Sequence, residues 1–207
     1  MIFIFPPYTL IFVTSFLVSA VLLAIVWRRR PAPGALTFAI FIMSSVIWSF
    51  FWVLEIGALD IKSKILWAKF ENIGIVTTGL LWLIFVLDYT AQSWWRRPRN
   101  FILLSILPLT TLLLIWTNEL HGWYYSDIYI TANSLGDVAV WKHGFLFWIS
   151  ATYQYALIVT GIVLLCRFGW RNAPLRKQIT ALTVATLIPI AGNIAYIFSN
   201  TIIEDID

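Results

Sequence analysis

Ten of the fourteen basic residues fall in three short gaps between long apolar runs, and this spacing limits what the chain can fold into. They are Arg28, Arg29 and Arg30, then Arg96, Arg97 and Arg99, and finally Arg167, Arg171, Arg176 and Lys177. Each run approaches the roughly 20 residues that a helix needs to cross a 30 Å hydrocarbon core. Because basic gaps alternate with gaps poor in arginine, the positive-inside rule predicts a multi-pass protein of the cell (cytoplasmic) membrane with its N-terminus outside.

The composition agrees with a membrane protein. Hydrophobic residues make up 60% of the chain and charged residues only 12%, unlike an ordinary soluble domain. The net charge of +4 does not indicate a nucleic-acid partner, since the basic excess lies where anionic lipid headgroups are expected. The single cysteine, Cys166, excludes an intrachain disulfide.

These patterns predict an all-α fold: one membrane domain, residues 1–207, built as a bundle of six transmembrane helices. Pro108 and Pro189 lie inside two of the runs and predict helix kinks. The longest connection, 117–143, shows alternating apolar residues and a turn at 134–137, which predict a short β-hairpin in an outer loop. The six predicted spans are 8–27, 35–56, 64–89, 101–116, 144–166 and 178–198.

Three carboxylates lie within apolar runs, and each costs about 2.5–3.5 kcal/mol at the bilayer centre unless it finds a partner or a water-filled cavity. Glu55 and Glu71 are near the outer ends of spans two and three, which a short turn makes antiparallel neighbours. The spacing therefore predicts that the two acids face a shared outer pocket. The alternative is that Lys64, Lys69 or backbone groups pair with them and fix helix packing. Asp88, near the inner end, is expected to pair with the arginine-rich loops.

Helical spacing places further polar and aromatic residues beside this pair. We predict a ligand-binding cavity, and no catalytic residue, metal site or cofactor, because no phosphate-binding loop, dinucleotide turn, nucleophile elbow or zinc-ligand spacing is present. His121 and His143 flank the outer loop without such spacing. The residues predicted to line the cavity are Trp48, Glu55, Trp67, Glu71, Asn118, His121, Tyr153 and Asn193.

Several segments in order carry a family resemblance. They are WVLE at 52–55, LWAKFENIG at 66–74, LWLIFVLDYT at 81–90, LP at 107–108, WTNELH at 116–121, and Pro189 with Asn193. Together they resemble the seven-helix membrane region at the N-terminus of microbial histidine kinases. The resemblance implies a sensory input module of a bacterial or archaeal two-component signalling receptor, whose seventh helix leads to a cytoplasmic output domain.

The resemblance ends before that seventh helix, so the chain is expected to be truncated and not itself an enzyme. Its expected partners are the lipid bilayer and a small-molecule, lipid or peptide stimulus. Kinases of the resembled type signal as homodimers, and the sequence leaves the oligomeric state open. Two other functions also stay open: a small transporter or channel-like protein that uses Glu55 and Glu71 as coupling acids, and a membrane anchor whose polar residues only pack.

Overall fold

The computed structural model describes residues 3–32, 34–133 and 136–204, without the side chains at 132–138, 189 and 193–204. It is 79% helical, with one small two-stranded sheet. The elements are α1 (Thr9–Arg28), α2 (Ala35–Gly57), α3 (Ile61–Tyr89), α4 (Pro98–Trp116), β1 (Tyr125–Asn133), β2 (Gly136–His143), α5 (Phe145–Arg171) and α6 (Arg176–Glu204).

The predicted helical membrane fold is confirmed. Each of the six helices overlaps one predicted span, and α1 to α5 are long and apolar enough to cross a membrane. Helix α6 is not among those five in the part of the chain that the structure describes. The count of six spans and the outward N-terminus therefore remain predictions.

Helices α2 and α3 form an antiparallel pair, and α3 is the most buried of the five apolar helices. The turn between them is short because α2 ends at Gly57 and the Asp60 side chain caps α3 by accepting a hydrogen bond from the Ser63 N–H, at 2.8 Å. Ring pairs then follow one another along the interface, with centroid distances of 5.1, 5.6 and 4.7 Å for Phe51–Phe70, Phe41–Trp82 and Phe38–Phe85.

The two helices approach each other closely at Gly74. A Cβ atom added there would lie 2.4 Å from the backbone oxygen of Ser44 and 2.7 Å from the backbone nitrogen of Trp48. One turn further along, the hydroxyls of Ser44 and Thr78 are 3.2 Å apart and form a hydrogen bond. A small residue at position 74 thus sets the separation of the helices, as small residues do in membrane bundles.

The first part of α5 is joined to α3 by polar side chains. The Gly79 N–H donates to Oε1 of Gln154 at 2.8 Å, and the amide nitrogen of Gln154 donates to the Val76 carbonyl. The Trp82 indole donates to the carbonyl of Ile158 at 3.2 Å. These three bonds satisfy polar groups in apolar surroundings, where water cannot.

Tyr153 of α5 compensates for the proline inside α4. Pro108 has no N–H, so the carbonyl of Leu104, four residues earlier, lacks its usual helical donor. The Tyr153 hydroxyl donates to that carbonyl at 2.7 Å. A neighbouring helix therefore restores the missing bond, which is how membrane bundles tolerate interior prolines.

The predicted hairpin is present. Strands β1 and β2 pair antiparallel, with Ile128 opposite Trp141 and Ile130 opposite Ala139. Of the predicted turn at 134–137, Ser134 and Leu135 lie outside the described residues.

Residues Met1–Val159 form a first compact unit. We call the end of this unit that holds the hairpin and the α2–α3 turn the hairpin end. The N-terminal segment also lies here, since the Ile4 N–H donates to the Gly57 carbonyl at 2.9 Å. The opposite end, which we call the arginine end, carries Arg28 to Arg30 and Arg96. There, Asp88 forms a 2.5 Å ion pair with Arg96 and accepts a hydrogen bond from Thr37 at 3.2 Å. The expected pairing of Asp88 with an arginine of the basic loops is therefore seen.

Residues from Thr160 onward form a second compact unit. In it, the end of α5 turns into α6, and Gly169 lies against Ile179. The Arg176 guanidinium donates to the carbonyls of Gly169 and Trp170, at 3.3 and 3.2 Å. A cation at these carbonyls stabilises the C-terminal end of a helix.

Gly74→Ala is expected to destabilise the protein, because the added methyl group meets the α2 backbone. The overpacking cost is about 1–3 kcal/mol, measurable as a lower midpoint of thermal unfolding in detergent. Gly192→Ala is the matched control, since an added Cβ there meets no described heavy atom within 4 Å. Equal midpoints for the two variants would contradict the close approach of α2 and α3.

Tyr153→Phe is expected to cost about 0.6–2 kcal/mol, since it leaves the Leu104 carbonyl without a donor in the bundle. Pro108→Ala supplies a backbone N–H for the same carbonyl. In a double-mutant cycle, Tyr153→Phe should therefore cost much less in the Pro108→Ala background, as measured by thermal unfolding. Strictly additive effects would show that the hydroxyl and the proline are unrelated.

Candidate functional site

The structure brings Glu55 of α2 and Glu71 of α3 together at the hairpin end. Glu55 is 6% exposed, Glu71 is partly buried, and the two carboxyl groups interact electrostatically. Their proximity follows from the short turn and the antiparallel pairing of α2 with α3. Two acids in mostly apolar surroundings repel each other when both are ionised, so the site favours either a proton on one of them or a positive charge beside them.

Lys64 is a cation close to Glu55, but its ammonium group is bound to backbone carbonyls. Its side chain is 1% exposed, and the ammonium donates to the carbonyls of Glu55 and Ile56, at 3.0 and 3.3 Å. It thereby caps the C-terminal end of α2. It attracts the Glu55 carboxylate, yet no ion pair within 4.0 Å joins Lys64 to a carboxylate among the described residues. Lys64 thus contributes to the packing of α3 on α2 by binding backbone carbonyls of α2 and not the carboxylates.

Two indole groups, those of Trp48 and Trp67, have buried ring nitrogens on the same two helices as the acid pair. The Trp48 indole lies beside the Glu71 carboxyl, which is its available acceptor, while the Trp67 ring stacks on Phe51 with centroids 6.1 Å apart. The Trp67 N–H has no acceptor within the described part of the chain, and a buried donor in that situation costs about 1–3 kcal/mol.

Two tyrosines border the acids from outside the helices. Burial, and secondarily the Glu71 carboxylate, raises the pKa of Tyr124. Burial and the Glu55 carboxylate likewise raise the pKa of Tyr8. Both hydroxyls therefore stay protonated at neutral pH and remain available as donors. Tyr8 stands directly before α1 and Tyr124 directly before β1, so the acid pair borders the N-terminal segment and the hairpin.

Asn118 holds the start of the hairpin. Its Oδ1 accepts hydrogen bonds from the N–H groups of Tyr124 and Tyr125, at 3.0 and 3.1 Å, and its Nδ2 donates to the Tyr125 carbonyl at 2.9 Å. Asn72 of α3 binds the same segment, since the Tyr124 hydroxyl donates to its Oδ1 at 3.4 Å and its Nδ2 donates to the Tyr125 hydroxyl at 3.2 Å. The hairpin is thus tied to α3 one residue away from Glu71.

An open cleft with an empty volume of about 260 Å³ lies beneath the hairpin. Lys69 crosses its rim to form a 2.5 Å ion pair with Glu119, and it also donates to the Trp116 carbonyl at 3.1 Å. Burial alone would raise the pKa of Glu119, but the hydrogen bond and charge of Lys69 hold it below its usual value. The cleft is lined by Ile65, Ala68, Lys69, Ile115, Asn118, Glu119, Tyr125, Ile128 and Trp141.

His121, Tyr153 and Asn193 are among the predicted site residues that no described contact brings to the acid pair. His121 bonds locally, to the Thr117 hydroxyl at 3.2 Å and to the Trp123 N–H at 3.0 Å. Tyr153 is bound to the Leu104 carbonyl, and the side chain of Asn193 lies outside the described residues. Their roles as ligand contacts stay predictions.

Sequence reasoning missed the contribution of Asn72 and Tyr124. Asn72 is 2% exposed, and its signal in the sequence is an amide inside an apolar run. The alternative pairing of Lys64 with the carboxyl groups is replaced in the structure by its bonds to the carbonyls of Glu55 and Ile56. No group of three or more metal-ligating side chains occurs among the residues that the structure describes.

Asn118→Asp is expected to loosen the hairpin, because the carboxylate keeps the acceptor but places an oxygen against the Tyr125 carbonyl. Hydrogen–deuterium exchange should rise across residues 124–143. Asn100→Asp is the matched control, since Asn100 donates to the Trp94 carbonyl on the exposed surface. Unchanged exchange in the hairpin of Asn118→Asp would contradict the anchoring role.

Comparison with known proteins gives a family match. No curated protein and no solved structure gives a significant match. A family model described as the N-terminal 7TM region of histidine kinase matches residues 11–207, which is nearly the whole chain. The match is to a membrane sensor region and not to a catalytic domain. It confirms the resemblance found in the sequence, and the chain belongs to the family of N-terminal 7TM regions of histidine kinases.

Proposed function

We propose that this chain detects a stimulus at its hairpin end, on the outer side of the cytoplasmic membrane, and passes the change to the inner side. Family membership supports a membrane sensory input role. The single observation that carries the position of the site is the acid pair: Glu55 and Glu71 lie on neighbouring helices, mostly buried, and the Trp48 indole lies beside the Glu71 carboxyl. Buried ionisable groups in membrane helices mark functional sites by default.

The proposed orientation, with the N-terminus outside, rests on the distribution of charge within the first unit. The loop after α1 and the loop after α3 lie at the same end, because a Cβ atom on Gly34 would be 3.7 Å from the Tyr89 backbone. Both loops are rich in arginine, and cytoplasmic loops carry such an excess. The hairpin then faces outward.

Helix α3 connects the proposed site with the arginine end. It runs unbroken from Ile61 to Tyr89 and carries both Glu71 and Asp88. These two positions are seventeen residues apart, which corresponds to roughly 26 Å at 1.5 Å per residue. Since Asp88 binds Thr37 of α2 and Arg96 of the next loop, a tilt or rotation of α3 changes contacts at the arginine end.

The mechanism is a shift between two helix arrangements. A stimulus moves this equilibrium only by the difference in its affinity for the two arrangements. The acid pair supports such a difference, because its two members lie on different helices. A change in the spacing of α2 and α3 alters both the repulsion between the carboxylates and their distance from any bound group.

Glu55→Gln and Glu71→Gln test this proposal without knowledge of the stimulus. Removing one negative charge relieves the repulsion, so the preferred spacing of α2 and α3 should change. We expect altered hydrogen–deuterium exchange both near the substitution and around residues 88–97, measured on the chain in nanodiscs. Asp127→Asn is the control, since Asp127 is an exposed carboxylate of the hairpin.

A change confined to the hairpin end would leave the acids with a packing role only and would overturn the proposed relay. An ion flux assay in liposomes separates the transporter alternative. Flux that depends on Glu55 or Glu71 would favour transport over sensing, while exchange changes at residues 88–97 without flux would support the sensor.

A further inference from the structure

We infer that residues 117–125, which we call the α4 turn, lie in the headgroup layer of the bilayer, and that the thickness of the bilayer acts on the protein through them. This inference rests on the proposed function, because it names the class of stimulus that reaches the hairpin end. Three features of the turn point to the lipid surface as its partner: its exposed apolar side chains, its internally bonded backbone and the short length of α4.

The exposed side chains of the α4 turn continue the exposed stripe of α4. Leu120 is 84% exposed and Trp123 is 48% exposed, and the Trp123 ring lies 5.8 Å from the ring of Phe145, which is also exposed. Leucine and tryptophan at the end of a membrane helix are typical of the bilayer interface. The exposed residues recur at alternating intervals of four and three, and they are Ile102, Ile106, Leu109, Leu113, Trp116 and Leu120.

The backbone of the α4 turn is bonded in a way that suits a lipid surface. Six consecutive N–H groups, those of residues 120–125, donate hydrogen bonds within the turn. The first three donate to the carbonyls of Thr117 and Asn118, the fourth to Nδ1 of His121, and the last two to Oδ1 of Asn118. A loop in water can leave such donors to the solvent, whereas a loop against lipid must satisfy them internally.

Helix α4 is too short to cross the hydrocarbon core with its apolar residues alone. It is the shortest of the five apolar helices, and the exposed Arg97 and Arg99 mark its boundary at the arginine end. Residues 101–116 cover roughly 24 Å at 1.5 Å per residue, against a core of about 30 Å. A bilayer that fits the other helices must therefore thin around α4 or draw the α4 turn inward.

The α4 turn is bonded to α3 on both sides of Glu71. On one side, Lys69 forms a 2.5 Å ion pair with Glu119 and donates to the carbonyl of Trp116 at 3.1 Å. On the other side, Asn72 binds the hydroxyls of the two tyrosines that end the turn. A displacement of the turn along the membrane normal therefore pulls on α3 beside the acid pair, and α3 carries the displacement to the arginine end.

Spin labels measure the depth of the α4 turn. Cys166 is the only cysteine, so single labels are attached at Leu120→Cys or Trp123→Cys in a Cys166→Ser background, with the chain in phosphatidylcholine nanodiscs. At both positions we expect collisions with oxygen, which dissolves in lipid, to exceed collisions with a water-soluble nickel chelate. Leu113→Cys on α4 is the lipid reference, and Asp127→Cys on the hairpin is the aqueous reference.

Two results of this measurement would overturn the inference. The first is a collision ratio at both positions of the turn that equals the ratio at Asp127→Cys, because the turn would then lie in water. The second is spin–spin broadening at Leu120→Cys that disappears on dilution with unlabelled protein, because a second copy of the chain would then cover the turn.

Nanodiscs of different thickness test the effect on the protein. Hydrogen–deuterium exchange is compared in myristoleoyl and erucoyl phosphatidylcholine, and we expect it to differ between the two at residues 117–125 and 88–97. Leu120→Ser removes the most exposed apolar side chain of the turn, so exchange at 117–125 should rise about fivefold and the difference at 88–97 should be lost. Ile4→Ser is the matched control, since Ile4 is 60% exposed on the N-terminal segment at the same end.

The exchange data separate this inference from the proposed function. Equal exchange at residues 88–97 in the two bilayers, or a difference that persists in Leu120→Ser or is lost equally in Ile4→Ser, would overturn bilayer thickness as the stimulus. If Glu71→Gln still alters exchange at 88–97, the sensory proposal stands without it. If neither thickness nor Glu71→Gln alters exchange there, both proposals are overturned.

Discussion

The close approach of α2 and α3 is the contact on which the rest of the first unit depends. Gly74 allows the α2 backbone at Ser44 and Trp48 to lie against α3, and the ring pairs on either side follow from that spacing. The same register places Glu55 and Glu71 together at one end and Thr37 and Asp88 together at the other. A single helix pair thus fixes both the candidate site and the contact at the arginine end.

Polar groups in the apolar interior are paired in ways that join separate helices. The carbonyl released by Pro108 binds a tyrosine of α5, and the last carbonyls of α2 bind a lysine of α3. In a membrane such bonds determine which helices pack together more strictly than apolar contacts do. Lipid tails can replace side chains at an apolar surface, but they offer no hydrogen-bond donors. The acid pair stands out because neither carboxyl group forms an ion pair among the described residues.

Much of this arrangement follows from the sequence, for identifiable reasons. Helix periodicity and the short turn at Ala58–Asp60 place Glu55 near Glu71, and the arginine-rich loops anticipate the partner of Asp88. The hairpin is also predictable, from residue alternation. By contrast, the role of Tyr153 depends on which helix faces Pro108, and the role of Asn118 depends on backbone groups of Tyr124 and Tyr125. Neither contact leaves a pattern in the chain, because residues distant in sequence create both.

Gln154 limits the kind of motion that the bundle permits. Its side chain supplies one acceptor to Gly79 and one donor to Val76, so α5 is held at a single height along α3. A slide by one helical turn, about 5.4 Å, would leave both groups unpaired in apolar surroundings. Piston movement between these two helices is therefore costly, whereas a pivot about this midpoint keeps both bonds. Such a pivot moves the two ends of α3 in opposite directions, as in a lever.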